Sequence, residues 1–280
     1  MKKTILSLLL LVGATVASNA QQKSCCSNSS SQVFAMLSSD PSFVSSHRDP
    51  LPFKFISEAG MDIQYDVVDG NKAHAYYVEA KKPTNNYILM IHEWWGLNDY
   101  IKQEAVKLQS ELGNVNVIAI DLYDNKVATN KDEAATYMKD VNSIRAQAII
   151  KGAIAFAGKK AKIATIGWCF GGGWSLQASI LAGKQAKGCI MYYGMPETDL
   201  KKLAVLKTDV LGIFAKQDKW INDAVVAQFE KDMKKDGKKL TVKIFDADHA
   251  FANPSNPVYN KEYAEQAHQL SLAFLKKRLK

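Results

Sequence analysis

Apolar and polar positions along the chain follow two alternating patterns. Short runs rich in Val, Ile and Leu, bounded by turn residues, are typical of buried strands, and the longer stretches between them repeat their apolar positions at helical spacing. Two segments with apolar residues at every second position come first and flank Asp69-Gly70-Asn71, which predicts a hairpin. The hairpin strands are expected at 61–68 and 74–80, the buried strands at 86–91, 116–120, 162–166, 188–193, 210–215 and 240–245, and the helices at 100–112, 131–156, 222–235 and 260–279.

Continuous apolar strands separated by helices predict an α/β fold, a mostly parallel sheet with helices on both faces, opened by an N-terminal antiparallel hairpin. In such sheets ligands bind beyond the carboxyl ends of the strands. Chemically capable side chains lie just after four of the predicted strands, so we expect them to meet at one edge. They are Glu93, Cys169, Asp218 and His249.

The segment GWCFG, Gly167 to Gly171, places a cysteine in the G-x-nucleophile-x-G pattern of a tight strand-to-helix turn. Side chains in place of Gly167 or Gly171 are expected to collide with neighbouring backbone. Cys169 would then lie at the N-terminus of the next helix, whose dipole favours a thiolate. Phosphate-binding loops are excluded, because the segment lacks both the G-K-[ST] ending and the G-x-G-x-x-G spacing.

A thiol near its ordinary pKa is only partly ionised, so a catalytic cysteine needs a base, and the base needs an orienting acid. The chain order nucleophile, acid, histidine is the one expected on a sheet with this turn, and Cys169, Asp218 and His249 supply it. The other interpretation is a buried structural cysteine, a turn-capping histidine and a helix-capping aspartate. The rivals at nearby positions are His92 for the base and Asp223, Asp246 and Asp248 for the acid.

Charge and cysteine content change this picture little. The chain carries 36 Lys and Arg against 28 Asp and Glu, a net charge of +8. Most basic residues are lysines, and their clusters at 234–239 and 276–280 lie at the ends of amphipathic stretches. They lack the aromatic interleaving or the motif of a nucleic-acid surface, so no nucleic-acid partner is expected. Four cysteines, two of them close to the N-terminus, do not make a disulfide framework.

The N-terminus has the pattern of an export signal. Two lysines precede an apolar run at 5–12, and small residues ending at Ala20 follow. A membrane-spanning helix needs about twenty apolar residues, and this run is too short. The sequence therefore predicts a signal peptide over 1–20, cleavage after Ala20, and a periplasmic or extracellular protein.

Residues 21–50 are Ser-rich and polar, which predicts a partly disordered leader before a single domain over 51–280. The residues before Cys25 and Cys26 differ from a bacterial lipoprotein signal, so no stable membrane anchor is expected. The two cysteines receive no role. His47 falls in this leader and is left out of the candidate site.

Five segments together resemble the dienelactone hydrolase family, over most of the chain from the hairpin to the last helix. They are IHEWWGLN (91–98), IDLY (120–123), GWCFGGG (167–173), QD (217–218) and DHAFAN (248–253). The resemblance implies an α/β-hydrolase with a Cys-His-Asp triad that cleaves esters and lactones without a metal or a cofactor.

The resemblance also assigns roles to residues. Glu93 matches a glutamate that contacts the resting thiol and takes part in its activation. The backbone N–H groups of Trp94 and Phe170 would form the oxyanion hole. The triad roles that it implies are nucleophile for Cys169, base for His249 and orienting acid for Asp218.

One departure from the family concerns the substrate. The family holds a substrate carboxylate with arginines, one of them four residues after the catalytic histidine, where this chain has Asn253. The region of a second arginine, 125–140, contains none, and Lys131 is the nearest substitute. Because an amide does not replace a bidentate guanidinium, we expect a more neutral ester or lactone, in a pocket formed by Trp95, Trp168 and Asn253.

Several alternatives stay open at this point. Trp94 and Trp95 either pack in the core or line the pocket, and their position after Glu93 favours the pocket. The chain is expected to act on a small-molecule substrate as a monomer or weak homo-oligomer. It could also be an acyl esterase on glycan or plant-polymer esters, or a catalytically silent binding protein on the same fold.

Overall fold

One sheet of eight strands runs through residues 29–280, the part of the chain that the computed structural model describes. In chain order the strands are β1 (Met61–Asp66), β2 (Lys72–Val78), β3 (Asn86–Ile91), β4 (Asn116–Ile120), β5 (Lys162–Trp168), β6 (Ala186–Tyr192), β7 (Val210–Ala215) and β8 (Leu240–Phe245). They lie side by side in the order β1-β2-β4-β3-β5-β6-β7-β8. β1 pairs with β2, and β2 with β4, in antiparallel orientation, and all pairs from β4 to β8 are parallel. The predicted signal peptide, its cleavage site and the pair Cys25 and Cys26 lie outside the described residues.

Both faces of the sheet are covered. β4 and β7 are buried at every position, and because successive side chains point to opposite faces, each face must pack against other elements. The helices are α1 (Ser30–Met36), α2 (Pro41–Ser46), α3 (Asp99–Leu112), α4 (Lys131–Lys139), α5 (Ser143–Ala157), α6 (Phe170–Ala182), α7 (Leu200–Ala204), α8 (Asp223–Lys235) and α9 (Lys261–Arg278), with single 3₁₀ turns at Leu37–Ser39 and Gly183–Gln185. The predicted α/β class is confirmed. Within the described range, none of the helices is long and apolar enough to cross a membrane.

The stretch predicted as one helix over 131–156 is two helices. α4 and α5 are separated at Asn142, whose side chain accepts hydrogen bonds from the backbone N–H groups of Ile144 (2.8 Å) and Arg145 (3.2 Å). Asparagine is a preferred cap at a helix N-terminus. The prediction of a single helix is wrong because the apolar spacing continues across this cap and conceals the break.

The N-terminal segment, residues 30–47, is folded onto the domain. α1 begins with a capping box at Ser29, and α2 begins after Asp40, whose carboxylate caps its first turn. Phe34 and Phe43 are 2% and 0% exposed, and burying each phenylalanine contributes about 2 kcal/mol. The expectation of a polar, partly disordered leader does not hold for this segment, and the folded unit of the described chain includes α1 and α2.

The carboxyl ends of β3, β5, β7 and β8 lie at the same edge of the sheet. The register pairs Ile91 with Gly167 and Ala215 with Phe245, at the ends of neighbouring parallel strands. This edge is therefore where the fold collects the side chains that come next in the chain. Those singled out from the sequence are Glu93, Cys169, Asp218 and His249.

Candidate active site

Cys169 lies in a tight turn between β5 and α6. Its φ is 54°, a left-handed conformation that is unusual for a residue other than glycine and is found in strained functional turns. A Cβ on Gly167 would lie 2.1 Å from the carbonyl oxygen of Gly171, and one on Gly171 would lie 2.3 Å from that of His92. The expected collisions are confirmed, and they show that the turn packs backbone to backbone against the end of β3.

His249 lies between Cys169 and Asp218, and we call these three side chains the triad. Nε2 of His249 lies 3.3 Å from Sγ of Cys169, and Nδ1 lies 2.6 Å from a carboxylate oxygen of Asp218. The other Asp218 oxygen accepts hydrogen bonds from the backbone N–H groups of Trp220 and Ile221, each at 2.9 Å. The carboxylate cannot turn away from the imidazole without breaking these two bonds, so the orientation of His249 is fixed.

Burial and neighbouring charges set the protonation of the triad. Burial lowers the pKa of His249, but the charges of Asp218 and Cys169 outweigh burial and hold that pKa well above its ordinary value. Burial would raise the pKa of Asp218, but the imidazole and the backbone hydrogen bonds lower it overall. Cys169 is 1% exposed, and burial raises the pKa of its thiol although His249 opposes the rise. The triad therefore combines a buried thiol with an imidazole whose cationic form Asp218 stabilises.

The rival side chains are engaged elsewhere. Nδ1 of His92 lies 2.5 Å from the carbonyl oxygen of Glu93, and Nε2 of His92 accepts the backbone N–H of Leu122 at 3.1 Å. Both ring nitrogens of His92 therefore join two loops. Asp223 and Asp246 bind side chains at the protein surface. These partners exclude His92, Asp223 and Asp246 from the roles of base and orienting acid, and His249 with Asp218 keeps the direct contact with the thiol.

Glu93 is buried beside the triad. Its carboxylate accepts hydrogen bonds from the Tyr193 hydroxyl (3.3 Å) and from the side-chain amide of Asn253. Burial raises the pKa of Glu93 to about 7, although His249 and the two hydrogen bonds oppose the rise. The sequence analysis expects Glu93 to contact the thiol, whereas these hydrogen bonds go to Tyr193 and Asn253, and Glu93 acts on Cys169 through its charge, which raises the thiol pKa.

Asn253 holds Glu93 in place. Its amide nitrogen donates to Glu93, and its Oδ1 accepts from the backbone N–H and the hydroxyl of Ser255 at 2.8 and 2.7 Å. From the sequence, Asn253 is expected in the substrate pocket, at the position of a missing arginine. The link to Glu93 and the role of Tyr193 were missed, because these residues lie in distant parts of the chain and no local pattern connects them.

The proposed oxyanion-hole residues lie on either side of the turn. The backbone N–H of Phe170, the first residue of α6, hydrogen-bonds to Cys169, and Trp94 follows Glu93 in the loop that the turn packs against. The Trp94 and Trp95 side chains are 0% and 2% exposed, with their ring centroids 4.9 Å apart. Trp95 is therefore a core residue and not a pocket wall.

Two cavities flank the triad. The first, about 250 Å³ in volume, is lined near the triad by Glu93, Trp168 and Asn253. The second, about 310 Å³, is lined by His249 and by residues of the N-terminal segment such as His47. Cys169 itself is buried and lines neither cavity. Of the side chains that the sequence analysis assigned to a pocket, Trp168 and Asn253 do line one.

Basic side chains line both cavities, but not at the predicted position. Lys107 lines the first cavity. Arg48 and Lys219 line the second cavity together with Asp248. Lys131, the expected substitute for the family arginine, begins α4, where its backbone N–H donates to Asp49 at 2.8 Å, and it lines neither cavity. Arg48 was missed because it lies in the assumed leader.

The N-terminal segment covers the triad. The ring centroids of Phe34, Phe43 and His47 lie 6.4, 6.1 and 5.5 Å from that of His249. His47 also packs on Trp94, with centroids 4.5 Å apart. Burial and the nearby His249 lower the pKa of His47 to about 3, so its ring is neutral. These contacts show that leaving His47 out of the site was wrong. The omission arose because the Ser-rich composition of the segment concealed its two buried phenylalanines.

A thiol on a strand-to-helix turn, followed in the chain by an aspartate and a histidine that meet it at the carboxyl edge of a mostly parallel sheet, defines an α/β-hydrolase. Residues 73–279 match the model of the dienelactone hydrolase family, and the chain belongs to that family. It is therefore a hydrolase that acts on ester or lactone bonds. The family and the class of enzyme expected from the sequence are confirmed.

Individual proteins give the same result. The chain is 29% identical over 258 residues to a candidate carboxymethylenebutenolidase of Saccharolobus solfataricus. The match covers 77% of this chain and 98% of the relative. The chain is also 28% identical to the protein usf of Aquifex pyrophilus, over 72% and 93% of the two chains. The solved structure of a candidate dienelactone hydrolase from Klebsiella pneumoniae is similar with a TM-score of 0.67 at 19% identity, over 78% of this chain and 99% of that one. At that identity the solved structure supports the fold alone.

Proposed function

We propose that this chain hydrolyses carboxylic esters or lactones through an acyl-enzyme intermediate on Cys169. The observation that carries the proposal is the pair of distances at His249, 3.3 Å to the Cys169 sulfur and 2.6 Å to Asp218. Both distances are within the reach that a nucleophile, its base and the orienter of that base require. A cysteine with a purely structural role has no need of a histidine held in this way.

In the first half-reaction, Nε2 of His249 takes the thiol proton as the sulfur attacks the carbonyl carbon of the substrate. The carbonyl oxygen becomes an anion, which the backbone N–H groups of Phe170 and Trp94 would stabilise. Asp218 stabilises the imidazolium that has formed. The tetrahedral intermediate then expels the alcohol, which receives its proton from His249 and leaves the acyl group on sulfur.

In the second half-reaction, water takes the place of the alcohol. His249 removes a proton from the water as its oxygen attacks the thioester, and the second tetrahedral intermediate expels the sulfur. The proton returns from His249 to the sulfur, and the carboxylic acid leaves. In a lactone the expelled alcohol stays attached to the acyl group, so the product is a single hydroxy acid.

Glu93 tunes the thiol in this scheme. With a pKa raised by burial to about 7, its carboxyl group changes charge in the neutral range, while Tyr193 and Asn253 fix its position. The negative form raises the pKa of Cys169. The uncharged form therefore favours ionisation of the nucleophile.

A neutral ester or lactone is the substrate that fits this site best. The lining of the first cavity includes Glu93 and the aromatic rings of Trp168, Tyr192 and Tyr259. Its other carboxylates, Glu104 and Glu265, outnumber its one lysine, Lys107, and none of the described residues that line it is an arginine. Flat apolar acyl groups suit such walls. A substrate carboxylate would meet the charge of Glu93 without a guanidinium partner.

The enzyme works outside the cytoplasm in this proposal, in the periplasm or the medium. The support is the succession of charged, apolar and small residues over 1–20. The intact mass of the protein recovered from the envelope and the medium tests the proposal. A chain that begins after Ala20 without lipid is expected, and a chain that retains residues 1–20 or carries a diacylglycerol would contradict it.

A panel of p-nitrophenyl esters, small lactones and acylated sugars tests the proposed hydrolysis. Wild type and Cys189→Ala, which removes a buried cysteine outside the triad, should hydrolyse members of the panel, and Cys169→Ala should not. Hydrolysis that survives in Cys169→Ala would contradict the cysteine mechanism. Turnover confined to the acylated sugars would indicate the acyl esterase alternative, and binding without turnover would indicate a silent binding protein.

A further inference from the structure

His47 presents an unused nitrogen to the triad. Its side chain is 2% exposed, and its Nδ1 lies 2.7 Å from the carbonyl oxygen of Phe43. A carbonyl oxygen only accepts hydrogen bonds, so Nδ1 carries the proton and Nε2 carries the lone pair. Nε2 is buried and has no hydrogen-bond partner among the described residues. Buried polar atoms are normally satisfied, so an orphaned one calls for an explanation.

The orphaned nitrogen belongs to a compact group of donor atoms. Sγ of Cys169 and one ring nitrogen each of His47 and His249 lie within 4.8 Å of one another, and the Cys169–His249 distance is 3.3 Å. A tetrahedral zinc ion with bonds of about 2.3 Å to sulfur and 2.0–2.1 Å to nitrogen keeps neighbouring ligand atoms about 3.3–3.6 Å apart. The group therefore needs only a contraction of about 1 Å on the His47 side to surround one ion.

Both histidines are also held as metal-binding histidines usually are. Such a histidine donates its second ring N–H to a carboxylate or a backbone carbonyl, which fixes the ring and its tautomer. Nδ1 of His249 is bound to Asp218, and Nδ1 of His47 is bound to the Phe43 carbonyl. Each ring therefore keeps the lone pair of its Nε2 for a cation.

We propose that Cys169, His47 and His249 form a binding site for a thiophilic divalent cation, and that Zn²⁺ bound there holds the hydrolase inactive. A thiolate with two imidazoles suits zinc and does not suit Mg²⁺ or Ca²⁺, which take oxygen ligands. Zinc replaces the proton of the Cys169 thiol, which passes to solvent. The sulfur lone pair and Nε2 of His249 are then occupied by the metal, so the sulfur does not attack and the imidazole accepts no proton.

Because His47 lies on the N-terminal segment, the same ion ties that segment down over the triad. Removal of the ion frees the nucleophile and the base together. Only the inactivation rests on the proposed hydrolase function. The binding of the metal does not.

The test measures metal binding directly. The protein is stripped of metal with a chelator and carries Cys25→Ser and Cys26→Ser, so that the two thiols near the N-terminus cannot bind the ion. Isothermal titration with Zn²⁺ should give one site per chain, and Co²⁺ in its place should give a thiolate-to-cobalt charge-transfer band. His47→Phe, which preserves the ring packing without a nitrogen, and His47→Gln should each weaken Zn²⁺ binding by at least about tenfold. His74→Ala on β2 is the matched control and should bind as the parent does.

Zinc should also slow the alkylation of Cys169 by iodoacetamide in the parent protein, which needs no variant that could misfold. Unchanged affinity in both folded His47 variants, or a cobalt complex without the thiolate band, would overturn the proposal. Binding that depends on all three ligands in a protein without esterase activity would support the metal site and contradict the hydrolase. Esterase activity together with Zn²⁺ binding that is unchanged in the His47 variants would support the hydrolase and contradict the metal site.

Discussion

Sγ of Cys169 and Nε2 of His249 lie 3.3 Å apart, although 80 positions separate the two residues in the chain. β5 ends just before the cysteine and β8 ends shortly before the histidine, and both strands run parallel in one sheet. The meeting of this thiol and this imidazole is therefore a property of the strand order and not of a local motif. Asp218 follows β7, the later of the two strands between them in chain order, and hydrogen-bonds to His249.

His249→Ala is expected to lower kcat on the order of 10³-fold or more, as the loss of a triad base does. Adding Asp218→Asn should lower it little further, because residues that act as one unit show non-additive losses. Asp223→Asn is the control, since Asp223 pairs with Lys216 at the surface. Steady-state kinetics of the single and double variants measure these losses in kcat. If the two losses multiply in the double variant, Asp218 acts independently of His249.

Glu93→Gln should remove a pH dependence of stability. Burial raises the pKa of Glu93 from 4.5 to about 7, so the folded protein holds this proton more tightly than the unfolded chain does. The resulting stabilisation is fully present below the unfolded pKa and is lost as the pH rises through the folded pKa. Between about pH 5 and about pH 8, wild type should lose ~2 kcal/mol of unfolding free energy relative to the variant.

Urea unfolding of both proteins at the two pH values measures this difference. Glu58→Gln, which replaces an exposed glutamate, is the control and should follow wild type. If the free energy of unfolding changes with pH equally in wild type and in Glu93→Gln, Glu93 titrates in the folded protein as it does in the unfolded chain, and the prediction is wrong.

Phe43→Ala should expose the thiol of Cys169. The Phe43 side chain is 0% exposed, and its ring contacts those of His47 and Trp94 with centroids 4.3 and 5.5 Å apart. Removing a buried phenylalanine costs about 3–5 kcal/mol, and here the loss falls on the N-terminal segment that covers the triad. Iodoacetamide should then alkylate Cys169 on the order of tenfold faster, because local opening no longer opposes access. Equal rates for Phe43→Ala, wild type and the half-exposed control Phe53→Ala would contradict the covering role.

A neutral ester should be hydrolysed with a higher kcat/KM than its carboxylate-bearing analogue. The expected ratio is about ten- to a hundredfold, because a missing charge-assisted bidentate contact removes roughly 1.5–3 kcal/mol. The comparison needs one pair of substrates that differ in that group alone. A clear preference for the carboxylate would contradict the proposal, and Arg48→Gln would then show whether the second cavity supplies the guanidinium.

Local sequence patterns predicted the strands and the meeting of Cys169, Asp218 and His249. Both follow from where the apolar runs begin and end. Four strands, β3, β4, β7 and β8, lie where the apolar runs place them. Residues at strand ends meet wherever parallel strands share an edge, so the placement of Cys169, Asp218 and His249 together followed from the runs alone. The elbow glycines were predictable for the same reason, since the tight turn itself requires them.

The remaining features depend on contacts that no local pattern carries. Glu93 and Asn253 are 160 positions apart, and the asparagine is a common residue in loops. The N-terminal segment is polar on average, although Phe34 and Phe43 decide where it packs. Its His47 becomes part of the site only because those two rings are buried against the domain.

The central claim is that hydrolysis depends on the thiol of Cys169, and stoichiometric alkylation tests it most directly. Protein is treated with increasing iodoacetamide, the fraction labelled at each cysteine is read by peptide mass spectrometry, and the residual ester hydrolysis is measured on the same samples. We predict that activity falls in proportion to labelling of Cys169 and reaches zero when that labelling is complete, whatever the labelling of Cys25 and Cys26. Full activity in protein whose Cys169 is completely labelled would contradict the account.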